Sequence, residues 1–323
     1  MILAVYLIVL NIAAFAAYGI DKYKAKNNKW RISESFLILL AVLGGSLGAF
    51  IGMLVWHHKT LKAKFRIVPC LCLILIICCA FILYGNYHLT VTEYDVDLGL
   101  NEDLKIVQIS DLHNQIFGIG ESVLLDRIRE QDPDIIVVTG DVLDSSHTSY
   151  EIAGSFFKGA VEICPVYYIT GNHEVRLMKD GTEFDKFIST ITSYGVIHLD
   201  DTYIDMGDYI LAGIAEKSLW SFNAYEPFDD TKPVILLAHD PKYTELFKGL
   251  GAELVLTGHI HGGQIILPGK GALLSPEFCF FPPYYQGIYD IDGIKLEVSR
   301  GLGNSAVPIR INDYPEIVVI NVH

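Results

Sequence analysis

Five times along this chain a short apolar run ends in a polar word built from aspartate, asparagine, glycine and histidine. Leu104–Ser110 leads into Asp111-Leu112-His113, Ile135–Thr139 into Gly140-Asp141-Val142-Leu143-Asp144, and Val166–Thr170 into Gly171-Asn172-His173-Glu174. Val234–Ala238 leads into His239-Asp240, and Leu254–Thr257 into Gly258-His259-Ile260-His261-Gly262-Gly263. Short apolar runs bounded by turn residues predict strands buried on both faces. Open α/β sheets place their ligands at the carboxyl ends of such strands. Helix capping or a turn explains a single Asp or Asn at a strand end. It does not explain histidine, which four of the five words carry. Imidazoles converging with carboxylates predict a metal centre, since imidazole suits Zn, Fe, Mn or Ni. The glycines beside His259 and His261 let the backbone turn sharply there.

Between the runs lie helical patterns at Glu121–Glu130, Tyr150–Ala160 and Thr182–Tyr194. A further strand is expected at Ile210–Ile214, and antiparallel strands at Gly287–Ser299 and Glu316–Val322. The alternation is that of an α/β domain.

The first 85 residues are of another kind. Apolar runs near residues 2–20, 36–56 and 67–85 each approach the roughly 20 residues that span a bilayer. The first lacks the basic start of a cleavable signal peptide, and two more runs follow it. Gly44, Gly45, Gly48 and Gly52 form a small-residue face on the second, which lets helices approach closely. These features predict a transmembrane helical domain at 1–85, a linker and first strand at 86–103, and a soluble domain at 104–323. Residues 1–85 hold nine Lys/Arg and two acids, a net +7, while the rest holds 15 bases and 36 acids, a net −21. An acidic domain repels polyanions, so no nucleic-acid partner is expected. Basic residues precede the third run and Glu93, Asp95 and Asp97 follow it. By the positive-inside rule the soluble domain then lies on the extracytoplasmic side of the cell membrane. The loops at 22–31 and 57–66 are both basic, which a re-entrant second run would reconcile. His57 and His58 read as interfacial basic residues or as a metal pair. A lack of buried acids in this segment speaks against a transport role of its own. Spacing leaves open whether Cys164 and Cys279 pair. Oligomeric state is not legible.

The ordered set of strand-end words closely resembles the calcineurin-like metallophosphoesterase family over about residues 104–323. Gly258–Gln264, Ser299-Arg300-Gly301-Leu302-Gly303 and Pro308-Ile309-Arg310 look most like its membrane-associated bacterial branch. The resemblance implies two mixed β-sheets flanked by helices. It implies that Asp111, His113 and His261 hold one divalent metal and that Asn172, His239 and His259 hold a second. Asp141 would bridge the two, and His173 would stand beside the substrate phosphate as proton donor or charge stabiliser. Mn, Zn and Fe are the expected metals. Asn304-Ser305-Ala306 departs from the small Thr/Ser-Gly pair expected there. Residues 11–65 resemble a small bacterial integral-membrane domain of unknown function. The matching words are Asn11, Tyr18–Lys22, Arg31–Glu34, Leu43–Gly48 and His57–Thr60. That likeness implies membrane residence and no activity.

The chemistry is consistent with this. Phosphoesters resist attack because their oxygens are negative, and two cations offset that charge and activate a water. Neither a Ser nucleophile elbow nor a Walker-type loop is present, so direct water attack is expected. Asp144 and Asp240 are candidates to orient metal-binding histidines, helix capping being the alternative for Asp144. Glu174 reads as structural. Arg300 and Arg310 are candidates for a substrate phosphate or for structural ion pairs. Phe278–Tyr285 reads as an apolar lip, a bilayer-facing patch or core. A phosphoester or pyrophosphate on a lipid or lipid-linked molecule is the expected substrate. A soluble phosphoester, or a non-catalytic membrane module that binds metal and a partner, is the alternative.

Overall fold

The structure is a computed structural model that describes residues 2–220, 227–228, 231–304 and 309–323. It divides into two compact units, Met1–Leu83 and Tyr84–His323.

In the first unit, three helical stretches are long and apolar enough to cross a membrane: Ala4–Lys26, Glu34–Val55 and Ala63–Tyr87. The second starts where the Ser33 hydroxyl accepts from Phe36 N, and it breaks at Gly44, whose φ is 114°. The small-residue face meets the first helix, as its composition predicts. A Cβ on Gly48 would lie 1.9 Å from the Asn11 carbonyl oxygen, and the Asn11 side chain accepts from Gly48 N at 2.7 Å. Two expectations are corrected here. Asp21 is a fully buried acid, with Arg31, His58 and Lys59 all within 3.0 Å of its Oδ2. His58 is therefore a buried partner of Asp21 and not an interfacial base. The chain order conceals this, because the partners of Asp21 lie 10 to 38 residues away.

The second unit contains, among the described residues, two six-stranded mixed sheets and a small hairpin. The strands are β1 (Thr90–Val96), β2 (Leu104–Ile109), β3 (Ile135–Val138), β4 (Val166–Tyr168), β5 (Ile197–His198), β6 (Thr202–Asp205) and β7 (Ile210–Gly213). They continue as β8 (Val234–Leu237), β9 (Leu254–Thr257), β10 (Ile266–Leu267), β11 (Gly271–Ala272), β12 (Gly287–Ile291), β13 (Ile294–Val298) and β14 (Glu316–Val322). One sheet has the order β1-β14-β2-β3-β4-β5 and the other β12-β13-β9-β8-β7-β6. The expected strands are all present. β5, β6, β10 and β11 were not among the expected strands, since no long apolar run marks them.

Side-chain alternation builds the layers. Ile106, Val137, Tyr167, Leu211, Ile235 and Leu256 point between the sheets and form one core. Val107, Ile136 and Val138 point the other way, onto helices Ser122–Arg129, Tyr150–Ala160 and Thr182–Tyr194. Ala212, Leu236 and Val255 leave the second sheet on its outer face, against Phe247 of helix Thr244–Gly249. β2, β3 and β4 run parallel in one sheet, and β7, β8 and β9 in the other. Each sheet therefore delivers its polar words to one edge.

Candidate metal centre

The five words meet at those edges. Asp111, His113, Asp141, Asn172, His239, His259 and His261 come together, and all but Asn172 are buried. Five of them hold left-handed backbone: Asp111 (φ 52°), His113 (46°), Asp141 (51°), His259 (68°) and His261 (52°). Such conformations are uncommon for residues with a Cβ and cluster at functional sites. Close backbone approach makes the turns possible. A Cβ on Gly258 would lie 1.9 Å from Ser110 Oγ and 2.3 Å from an Asp111 oxygen. One on Gly171 would lie 2.3 Å from Asp141 Oδ1.

Three of the four rings, those of His239, His259 and His261, are tethered on one side and open on the other; His113 Nδ1 is buried without a hydrogen bond. His239 Nδ1–H donates to the Thr139 carbonyl at 2.8 Å, which leaves Nε2 as a lone pair. His261 turns Nδ1 to the Gly303 carbonyl at 3.3 Å, and His113 turns Nδ1 to Asp144 Oδ2 at 3.8 Å. His259 Nε2–H donates to Glu277 Oε1 at 2.5 Å, so its Nδ1 is the open atom.

The open atoms form two groups. His113 Nε2 and His261 Nε2 face each other at 3.2 Å, with Asp111 Oδ1 3.5 Å from His261 Nε2. His259 Nδ1 and His239 Nε2 face each other at 3.2 Å, with Asn172 Oδ1 3.2 Å from His239 Nε2. Asp141 Oδ2 belongs to both, 3.5 Å from His113 Nε2 and 3.3 Å from His239 Nε2. Lone pairs converging without donors repel one another, and a cation in each group turns that repulsion into ligation. The Asn172 amide makes the same point. Turned over, its nitrogen would donate to Asp141 Oδ2 and His239 Nε2; as it stands, its oxygen joins their lone pairs. The donor set of imidazole nitrogens and carboxylate and amide oxygens suits divalent transition metals. Charge agrees. Burial works against the charged forms of Asp111 and Asp141, yet the surrounding histidines hold both below the usual carboxylate range. Burial also opposes a charge on His239, and Asp141 still raises its affinity for positive charge well above that of free imidazole.

The supporting residues are specific. Glu174, read as structural, accepts from the backbone N–H of Asp141, Leu143 and Gly171 at 2.8–2.9 Å, clamping two ligand loops together. Burial, reinforced by Asp141, pushes its carboxyl up to about 7. Asp144 starts no helix; its Oδ1 accepts from Ser146 N and His147 N in a turn, and its Oδ2 lies 3.8 Å from His113 Nδ1. Asp240 pairs with Lys242 and stands 4.0 Å from His259 Nε2. Glu277, which no strand-end pattern marks, is the acceptor that orients His259.

Arg300 and Arg310 do not reach the cleft. Arg300 pairs with Glu316 at 2.8 Å, and Arg310 is fully buried against Asp313 at 3.1 Å. Of the two readings open for them, ion pairing is the one seen. In their place Arg176 and Lys242 line a cleft of about 350 Å³ with Asp141, Asn172, His173 and His261. His173 accepts from Ser145 N at Nδ1, so its neutral ring carries a proton on Nε2, 3.2 Å from an Arg176 nitrogen. Two donors facing each other want an anion between them. Burial lowers the His173 ring to about 4, so it is neutral near pH 7.

Phe278, Phe280 and Phe281 are exposed, so this part of the aromatic stretch is not core, while Tyr284 and Tyr285 pack on the outer core of the second sheet. Cys164 and Cys279 are free thiols. The departure at Asn304-Ser305-Ala306 falls largely outside the described residues, as does Pro308.

Comparison with known proteins places this geometry. Residues 104–263 match the family described as calcineurin-like phosphoesterase, and residues 11–65 match a protein family of unknown function, DUF1294. The uncharacterized metallophosphoesterase YkuE of Bacillus subtilis is 30% identical over 229 residues, which are 68% of this chain and 78% of YkuE. The phosphodiesterase YaeI of Escherichia coli is 28% identical over 67% of this chain and 81% of its own. The uncharacterized protein YsdA of B. subtilis is 48% identical over 66 residues, 20% of this chain and 74% of YsdA.

Proposed function

This chain belongs to the calcineurin-like metallophosphoesterases, and from that premise we propose that it hydrolyses a phosphoester or pyrophosphate carried by a membrane amphiphile. The observation that carries the metal reading is the pair of converging lone-pair groups joined through Asp141 Oδ2. Asp111, His113 and His261 would hold one divalent ion and Asn172, His239 and His259 the other, with Asp141 placed to reach both. Manganese, zinc or iron fits these donors. Ions bound there would supply charge neutralisation for the phosphate and a more acidic water.

The residues do the rest. The tethers on His239, His259 and His261 fix which ring nitrogen faces the ion. Glu174 holds the Asp141 and Asn172 loops in register. His173 Nε2–H and Arg176 receive a phosphate oxygen, His173 as a neutral donor that stabilises developing charge or passes a proton to the leaving oxygen. Three helices able to cross a membrane raise the effective concentration of lipid substrates at the site. Phospholipids and lipid-linked nucleotide sugars fit this description.

The test uses full-length protein stripped by chelator and reloaded. Turnover of bis(p-nitrophenyl) phosphate appears with Mn²⁺ or Zn²⁺ and is absent without them. His173→Ala retains its metals and loses about 10²–10⁴ in kcat, the usual contribution of a positioned proton donor. Equal turnover with and without metal would refute the reading.

A further inference from the structure

A second cavity adjoins the metal cleft and has the opposite character. It measures about 320 Å³ and is lined by Ile260, Ile265, Leu273, Leu274, Ile309 and Ile311, with Phe278 at its rim. Among the described residues its lining holds no carboxylate, lysine or arginine, and its polar members are His261, Gln264 and Ser275. His261 and Pro276 line both this groove and the metal cleft. The neighbouring pair Glu277 and Phe278 divides between them: Glu277 orients the metal-facing His259, and Phe278 borders the groove.

The groove is built rather than left over. Its walls are tied by backbone hydrogen bonds from Ile311 N to Gln264 O (2.9 Å), Ile266 N to Ile311 O (3.0 Å) and Leu273 N to Ile265 O (2.8 Å). The rim is a tight turn, with Ser275 N donating to Cys279 O and Phe278 N to Ser275 O, both at 2.9 Å. Within it Phe278 (φ 62°) and Phe281 (φ 53°) hold left-handed backbone. Bulky residues adopt that region rarely and at a cost. Here the strained backbone presents side chains that are 78% and 49% exposed, with Phe280 between them at 68%. Three exposed phenylalanines beside an apolar groove mark a surface that meets a partner.

We propose that this groove binds the hydrocarbon chain of the substrate whose phosphate sits at the metals. The proposal rests on the metal reading above and deepens it by giving the apolar part of the substrate its own subsite. Because His261 and Pro276 line both, a molecule anionic at one end and apolar at the other is the occupant suited to the two together. A peptide segment would present backbone N–H and C=O groups that an apolar groove leaves unsatisfied. A methylene chain has none. Full burial of a methylene contributes about 0.8 kcal/mol, roughly fourfold in affinity.

The experiment uses full-length, Mn-loaded protein in lipid nanodiscs with p-nitrophenyl phosphodiesters bearing butyl, octyl or dodecyl chains. Bis(p-nitrophenyl) phosphate is the control without a chain. Partitioning into the disc favours dodecyl for any anchored enzyme, so the readout is the dodecyl-to-butyl ratio of kcat/KM in wild type against variant. Leu274→Ser combined with Ile311→Ser should lower that ratio at least tenfold and leave the chainless rate within about twofold. An unchanged ratio overturns the proposal. A second measurement stands apart from turnover: a dodecyl phosphodiester with a photoreactive tail should label peptides covering 260–278 and 309–311 of wild type, with or without metal. Labelling confined to residues 2–87 overturns the groove. A wild type that labels in the groove but fails to hydrolyse the chainless diester would instead sink the metal reading and leave the groove standing.

Discussion

Arg310 carries its charge through the interior without meeting water, and that placement has measurable consequences. It pairs with Asp313 and donates to the carbonyls of Arg300 and Gly303. The Gly303 carbonyl also takes the Nδ1 side of His261, so Arg310 acts on the metal centre as a positioning residue. Burial pushes the Asp313 carboxyl up to about 6 although Arg310 pulls it down. For an acid whose folded pKa is raised, the protonated folded form is the favoured one. Its stability advantage is present at low pH and is lost as pH rises through about 6. Arg310→Met should therefore be costliest near pH 8, by about 3–5 kcal/mol, because it strands an ionised carboxylate in the interior. Near pH 5 the carboxyl takes a proton and the penalty should shrink. Thermal unfolding midpoints at the two pH values check this, and a pH-independent penalty would contradict it. Two arginines flanking a glycine turn looked equally suited to a phosphate or to ion pairs. What decides between those roles is the tertiary position of Asp313 and Glu316, which the order of residues does not display.

At the scale of elements, the site is a set of strand-to-loop turns held in uncommon backbone by glycines that tolerate contact. Gly258→Ala tests this. The added methyl would collide with Ser110 and Asp111, so the Asp111, His113 and His261 group should lose its ion. Metal content measured by mass spectrometry should fall from two per chain toward one, with turnover lost and the circular dichroism of the sheets retained. Two ions bound to that variant would show that the close approach is dispensable. These elements were legible because each ligand directly follows an apolar run, so strand and site announce each other. Asp111, Asp141, Asn172, His239 and His261 could be named for that reason. Glu277 could not, since it reaches His259 across a loop 18 residues later and carries no pattern of its own. β5 and β6 escaped for the same kind of reason: no apolar run marks them, and their pairing with β4 and β7 makes them strands. Asp21 and His58 also escaped, because a buried ion pair between distant residues looks, along the chain, like two interfacial charges.

At the scale of the whole molecule, a basic apolar unit precedes an acidic catalytic one. If the helix Ile67–Tyr87 spans the membrane, the charge drop across it predicts an extracytoplasmic second unit by the positive-inside rule. Protease added to intact spheroplasts should then digest Tyr84–His323; protection until lysis would put the site, and its substrate, on the cytoplasmic face. The proposed function is that of a metal-dependent phosphoesterase acting on a membrane amphiphile. That description stands or falls on the cleft, and within the cleft on the one oxygen both ligand groups share. The direct measurement is metal stoichiometry and phosphodiester turnover of the full-length protein, wild type beside Asp141→Asn, in the same detergent. Wild type should bind two divalent ions and turn over only when they are present. Asp141→Asn should weaken both ions together and fall to background. Wild-type turnover in Asp141→Asn, or an active wild type that holds no divalent metal, would contradict the account.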